Sequence, residues 1–172
     1  MLMILAIDIG IKNLGYAIYE ELDLKFGLFN INQQNKLIKP IDRIRTVTKF
    51  INGILGKYNI TKLVIEQQIS RNVICLELQY TLMTIGVVNN IEVLLFKPNL
   101  KFKYLNPTYN TKRKEHKKLS IQYASNIIKH LGYSLDYFNS FKKRDDISDA
   151  ICMSLMSYYN DSSLIIQLIQ SD

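Results

Sequence analysis

Residues 2–20, LMILAIDIGIKNLGYAIYE, place one aspartate, Asp8, at the end of an apolar run that continues into a second apolar stretch. Apolar and polar residues alternate here with a period of two, which predicts strands over 2–8 and 14–20 joined by a short turn. A carboxylate in a buried strand is costly unless a positive charge meets it. The position of Asp8 therefore indicates a residue that works together with a cation.

The rest of the chain predicts a mixed sheet flanked by helices. A third strand is expected over 25–31, completing an antiparallel meander, and helical spacing of apolar residues begins at Pro40. Later segments read as strands at 62–66 and 91–97, helices at 72–88, 119–131 and from 145 onward, and a basic loop at 109–118. This order of elements is typical of an α/β fold. One domain spanning residues 1–172 is expected, because the length suits a single core.

Composition narrows the class of protein. The formal net charge of +7 indicates a surface that attracts polyanions, of which nucleic acid is the commonest. Cys75 and Cys152 are too few for a disulfide framework or a thiolate metal site, which favours a reducing compartment. The sequence shows neither an apolar run long enough to span a bilayer nor a secretion signal at its N-terminus. We therefore expect an intracellular protein with no membrane partner.

Carboxylates lie where the predicted elements would bring them together. Asp8 is in the first strand and Glu66 ends the fourth, while Asp146 and Asp149 stand three residues apart on one surface of the last helix. Asp145 competes with Asp146, but it lies farther from the apolar stripe that must face the sheet. If the last helix packs across the sheet edge, Asp8, Glu66, Asp146 and Asp149 form one oxygen-rich site.

This set of ligands predicts a hard divalent cation. Carboxylates without clustered cysteine or histidine indicate Mg²⁺, with Mn²⁺ as a substitute. Because four carboxylates exceed what one Mg²⁺ usually takes, we expect two ions per active site, about 3.5–4 Å apart, acting on a phosphodiester. Taken singly, an acid at a strand end or a helix start more often serves a turn or the helix dipole. The joint order of the acids along a basic chain is what favours a metal site.

Three segments resemble the acidic motifs of RuvC-type Holliday junction resolvases, most closely those of the poxvirus branch. They are Leu5-Ala6-Ile7-Asp8-Ile9-Gly10 to Gly15-Tyr16, Val64-Ile65-Glu66-Gln67 and Asp146-Ile147-Ser148-Asp149-Ala150, in family order over nearly the whole chain. The resemblance implies an RNase H-like fold with three antiparallel strands followed by parallel ones, a homodimer, and Mg²⁺-dependent symmetric nicking of four-way DNA junctions. It also implies resolution of concatemeric genome intermediates in the cytoplasm of the infected host cell.

The resemblance further implies roles for single residues. A basic residue at the start of the helix before the last would contact the scissile phosphate or position water; Lys118 is the matched residue, and Lys114 and Lys117 compete with it. The remaining catalytic and metal-binding residues would be Asp8, Glu66, Asp146 and Asp149.

Recognition of the junction is where the chain departs from the bacterial pattern. Ile9 stands where bacterial motifs often carry proline, and the aromatic residue used against junction bases has no clear counterpart after Glu66. Phosphate contacts from two basic stretches are expected to be independent of sequence. The expected DNA-binding residues are Arg71, Asn72, Lys112, Arg113, Lys114, Lys117, Lys142, Lys143 and Arg144.

Other functions fit parts of the pattern. Residues 8–13 also resemble the first phosphate loop of actin-like and sugar-kinase ATPases, but those enzymes need a second lobe for which 172 residues leave no room, so no nucleotide cofactor is expected. A non-catalytic nucleic-acid binder would explain the basic stretches but not the acids. A nuclease acting on RNA–DNA hybrids would use the same chemistry as one acting on branched DNA.

Overall fold

The computed structural model describes residues 2–32, 39–69, 72–98, 100 and 113–159. Within these ranges, five strands form one sheet and five helices pack on it. The strands are β1 (Ile4–Ile9), β2 (Asn13–Glu20), β3 (Asp23–Asn30), β4 (Lys62–Glu66) and β5 (Glu92–Phe96). The helices are α1 (Pro40–Leu55), α2 (Val73–Val88), α3 (Arg113–His130), α4 (Leu135–Ser140) and α5 (Arg144–Tyr158).

The sheet is mixed, as predicted. Its strand order is β3-β2-β1-β4-β5. The pairs β1–β2 and β2–β3 are antiparallel, whereas β4 is parallel to both β1 and β5. β1 is therefore the central strand, and all six of its residues are buried.

Period-two alternation along β1 divides the core between the two faces of the sheet. Leu5, Ile7 and Ile9 belong to an apolar cluster with α1 and α2. Ile4 and Ala6 point the other way, into a cluster with α3 and α5. Since side chains on a strand point alternately to opposite faces, Asp8 follows Ala6 onto the α5 side.

The last helix lies on a face of the sheet and not across its edge. α5 packs over β1 and β2 and is covered from outside by α3. Being enclosed on both sides, it buries most of its length, including three serines. Two of these satisfy their hydroxyls within the helix: Ser148 donates to the carbonyl of Arg144 at 2.6 Å and Ser154 to that of Ile151 at 2.8 Å.

One prediction of local structure was wrong, and one helix was not predicted. The predicted basic loop extends to 118, but α3 begins at Arg113, because lysine, arginine and glutamate are good helix formers even where no apolar stripe marks the helix. Residues 109–112 of that loop lie outside the described part of the chain. The short helix α4 was not predicted; Ser134 caps it by accepting from the N–H of Asp136 at 3.1 Å, and six residues are too few to show a period.

Candidate metal centre

The pairing of β1 with β4 brings Asp8 beside Glu66. Ala6 lies opposite Val64 and Ile7 opposite Ile65 in this parallel pair, so the next step of the register joins the two acids. Val64 belongs to the cluster under α5, and Glu66, two residues on, shares that face of the sheet. Two predicted site residues thus meet because two parallel strands end at the same level.

A glycine lets the start of α5 approach these acids. Gly15 lies opposite Asp8 in the β1–β2 pair. A Cβ atom at Gly15 would lie 2.5 Å from the carbonyl carbon of Asp146, closer still to its oxygen, and 3.0 Å from the nitrogen of Ile147. The backbone of α5 therefore rests directly on β2. Gly15 was part of the quoted motif but was not predicted as a site residue; a glycine inside a strand is the usual mark of such close approach.

Three carboxylates converge at this point. One oxygen from each of Asp8, Glu66 and Asp149 lies within 4.8 Å of the other two. Asp8 is only 8% exposed, and Oδ1 of Asp149 is buried. Two unit charges about 4 Å apart repel by roughly 4 kcal/mol near a protein surface, so a cation between them would lower the free energy. The all-oxygen ligand set fits Mg²⁺ or Mn²⁺.

Asp146, the fourth predicted ligand, lies outside this group of three. Burial raises its pKa, and the charge of Asp145 raises it further, against the lowering influence of Lys143 and Lys117; the charge of Asp149 also raises it. The Nζ atom of Lys143 is 3.9 Å from Asp146 Oδ2. Asp146 is thus a partly buried carboxylate at the border of the cluster.

An ion pair connects α3 to the start of α5. Lys117 donates a hydrogen bond to Asp145 Oδ2. Burial is the largest single influence on the pKa of Asp145 and raises it, but the hydrogen bond and charge of Lys117, a backbone hydrogen bond and the charge of Lys143 together leave this pKa lowered. Lys118 is exposed on α3. Of the competing lysines, Lys117 is therefore the one with a described contact at the acidic end of α5.

The predicted DNA-binding residues have different environments. Asn72 caps α2, its Oδ1 accepting from the N–H of Cys75 at 3.2 Å. Lys142 and Lys143 are exposed before α5, whereas Arg144 donates to Asn139 Oδ1 at 2.8 Å. Arg71 and Lys112 lie outside the described residues, and Arg113 and Lys114 belong to the first turn of α3, where only the backbone is described.

Sequence reasoning missed two glutamines beside Glu66. Gln68 donates from its side-chain nitrogen, Nε2, to Glu66, and Gln79 accepts from the backbone N–H of Gln68. One signal was present: at helical spacing Gln79 falls on the face of α2 that holds Cys75, Leu78 and Leu82, and a buried polar side chain needs a partner.

The fold and site define the class: an RNase H-like fold of the RuvC type with a carboxylate cluster. The chain is similar to T. thermophilus RuvC in complex with a Holliday junction substrate, at 13% identity and a TM-score of 0.66, covering 93% of this chain and 95% of that one. It is also similar to fowlpox virus resolvase in complex with Holliday junction DNA, at 21% identity and a TM-score of 0.65, covering 98% of this chain and 100% of that one. The yeast mitochondrial Holliday junction resolvase Ydc2 is similar at 17% identity and a TM-score of 0.64, covering 96% of this chain and 79% of that one.

The sequence itself shows the family. The sequence model of the Poxvirus A22 protein family matches residues 2–161, and the chain belongs to this family. No curated protein matches the sequence significantly. Within the described ranges, no helix has both the length and the apolarity needed to cross a membrane.

Proposed function

We propose that this protein is a Holliday junction resolvase, a metal-dependent endonuclease that nicks four-way DNA junctions symmetrically. The observation that carries the proposal is the convergence of Asp8, Glu66 and Asp149 from β1, β4 and α5. Further support comes from the fold, since the RuvC and fowlpox structures similar to this chain are complexes with Holliday junctions.

The carboxylates are proposed to hold Mg²⁺, with Mn²⁺ able to replace it. Asp8, Glu66 and Asp149 would bind one ion, and Asp146, whose pKa is raised by burial and by the charge of Asp145, would help to hold a second. When bound, the ions would supply an activated water and stabilise the leaving oxygen of the phosphodiester. The protein would contribute by fixing the carboxylates on two strand ends and one helix, so that the site needs little reorganisation during the reaction.

Basic residues are proposed to bind the DNA backbone. Lys142 and Lys143 are exposed next to the acidic end of α5, where they can contact phosphates that flank the cut. For the lysine near the scissile phosphate, the ion pair with Asp145 supports Lys117 over Lys118, the residue that the family resemblance indicates. Lys114 remains a candidate from the sequence.

A second copy of the chain is proposed to pack against α2. Val73, Tyr80 and Val87 are 74%, 60% and 69% exposed and recur every seven residues, with half-buried Leu76 and Met83 between them. Such a stripe is typical of a helix that pairs with another helix. A two-fold dimer would present two equivalent metal centres to the near two-fold symmetry of a junction, which explains symmetric nicking.

A biological role is proposed with the support of the family. For a poxvirus protein with this activity, the substrate would be branched intermediates in concatemeric viral DNA, cut in the cytoplasm of the infected cell. Residues 1–172 are proposed to act as one domain, since the described strands all belong to a single sheet.

The experiment that tests the proposal compares substrates. Purified protein is incubated with a mobile four-way junction, a linear duplex of the same sequence and an RNA–DNA hybrid, each with Mg²⁺ and with chelator. We expect paired nicks in the junction with Mg²⁺ only. Binding of the junction without nicks would support a non-catalytic binder instead, and preferential cutting of the hybrid would overturn the substrate.

A further inference from the structure

Helix α2 reaches the metal centre through a buried glutamine. Gln79 is 5% exposed, and its Oε1 accepts a hydrogen bond from the backbone N–H of Gln68 at 2.7 Å. A buried amide without a partner would cost about 1–3 kcal/mol, so this short bond fixes the segment after β4 to the helix.

The side chain of Gln68 turns back to Glu66. Its Nε2 lies 3.1 Å from the backbone oxygen of Glu66 and 3.4 Å from the carboxylate oxygen Oε2. One amide nitrogen carries two protons and can serve both oxygens. An ionised carboxylate has about four acceptor positions, so the bond to Gln68 leaves room for a metal on the same group.

Glu66 lies where the sheet ends, which makes outside support important. The N–H of Gln67 donates to the carbonyl of Phe96 at 2.8 Å, the last bond between this segment and β5 that the described residues include. Two residues further on, Ile69 is 72% exposed. The chain therefore leaves the sheet directly after the metal-binding residue, and Gln79 holds it there.

We propose that Gln68 and Gln79 are positioning residues of the metal centre: Gln79 fixes the backbone of Gln68, and the amide of Gln68 orients the Glu66 carboxylate toward the ion. This inference rests on the proposed function. It also gives α2 two tasks, because Tyr80 of the dimer stripe directly follows Gln79.

Metal binding without DNA provides the test. Mn²⁺ affinity is measured by isothermal titration calorimetry on the full chain, for wild type, Gln68→Met and Gln79→Met, with thermal unfolding recorded for each in the absence of metal. Methionine keeps the length of the side chain and removes its amide. Loss of such a supporting hydrogen bond commonly weakens metal binding 10–100-fold, so we expect at least a tenfold loss in both variants.

The matched control is Gln67→Met, since Gln67 is exposed and adjacent in sequence. It should bind Mn²⁺ as wild type does. Lower melting temperatures with unchanged Mn²⁺ affinity in the Gln68 and Gln79 variants would overturn the inference and leave the glutamines a structural role. If Gln79→Met fails to fold, Gln68→Met decides alone, because its side chain is only partly buried. If wild type bound Mn²⁺ no more tightly than Asp8→Asn does, the result would instead refute the metal centre itself.

Discussion

At the scale of single residues, the site depends on what surrounds each carboxylate. Asp8 and Glu66 are positioned by strand register, whereas Asp149 arrives on a helix whose height above the sheet is set by Gly15. A shift of this helix by the size of one methyl group would move Asp149 away from the other two acids. Gly15 therefore sets how closely the start of α5 can approach the strands that carry Asp8 and Glu66.

Gly15→Ala should damage both the fold and the site. The added Cβ meets the backbone of α5, which cannot rotate away as a side chain can, and overpacking of this kind costs about 1–3 kcal/mol. Urea unfolding would measure the loss, and Mn²⁺ titration the effect on binding. The control is Gly53→Ala at an exposed position of α1, where a Cβ meets nothing within 4 Å; it should be neutral or up to about 1 kcal/mol stabilising. Equal stability and equal Mn²⁺ binding of the two variants would contradict the close approach of α5 to β2.

The Lys117–Asp145 ion pair predicts a pH-dependent contribution to stability. The pKa of Asp145 is lowered in the folded protein, so the pair stabilises it above the ordinary aspartate pKa of about 3.9 and loses its effect as pH falls through the lowered value. Because the two side chains are 59% and 24% exposed, Lys117→Met should cost at most about 1 kcal/mol at pH 7. Urea unfolding of wild type and Lys117→Met would measure the difference in their free energies of unfolding, which should be smaller at pH 2 than at pH 7.

The same substitution tests which lysine serves the reaction. Junction cleavage by Lys117→Met should fall by roughly 10²-fold, the usual effect of losing one group that stabilises transition-state charge. Lys118→Met, a change at the exposed neighbouring position, should retain most activity. The reverse order of effects would return the assignment to Lys118.

At the scale of elements, α2 combines four features on one helix. Its inner face belongs to the core under β1, and an ion pair of Arg43 with Glu77, at 3.0 Å, fixes it to α1. Gln79 connects it to the metal centre, and its outer stripe is the proposed dimer contact. The proposed self-association and the position of Glu66 would therefore depend on the same helix.

Tyr80→Glu should yield a monomer. A charge at the centre of an apolar helix pair would be buried against a second copy, which is costly without a partner. Sedimentation at micromolar concentration is expected to show a dimer for wild type and for Leu22→Glu, a change at a 68% exposed residue in the β2–β3 turn. A Tyr80→Glu protein that remains dimeric would exclude this face of α2 as the interface.

For the whole molecule, the sequence predicted the fold and the origin of the ligands but not the contacts between elements. Strand period and the order of the acids predicted a group that includes Asp8, Glu66 and Asp149, and the structure brings one oxygen of each within 4.8 Å of the other two, although the last helix packs on a face of the sheet and not across its edge. The offset of Asp146 depends on the rotation of α5 about its axis, which hydrophobic spacing defines only coarsely. The hydrogen bond from the N–H of Gln68 to Gln79 joins residues 11 apart in sequence and depends on tertiary packing, so the sequence could mark Gln79 as a buried polar residue but could not identify its partner.

The substitution Asp8→Asn tests most directly whether Asp8, Glu66 and Asp149 hold a metal that cuts DNA. Cleavage of a four-way junction in Mg²⁺ should be abolished while junction binding remains, because only the metal ligand is lost. Asp42→Asn changes a half-exposed acid that pairs with Arg45 on α1, across the sheet from the cluster, and this variant should cut as wild type does. Undiminished cleavage by Asp8→Asn would contradict the account.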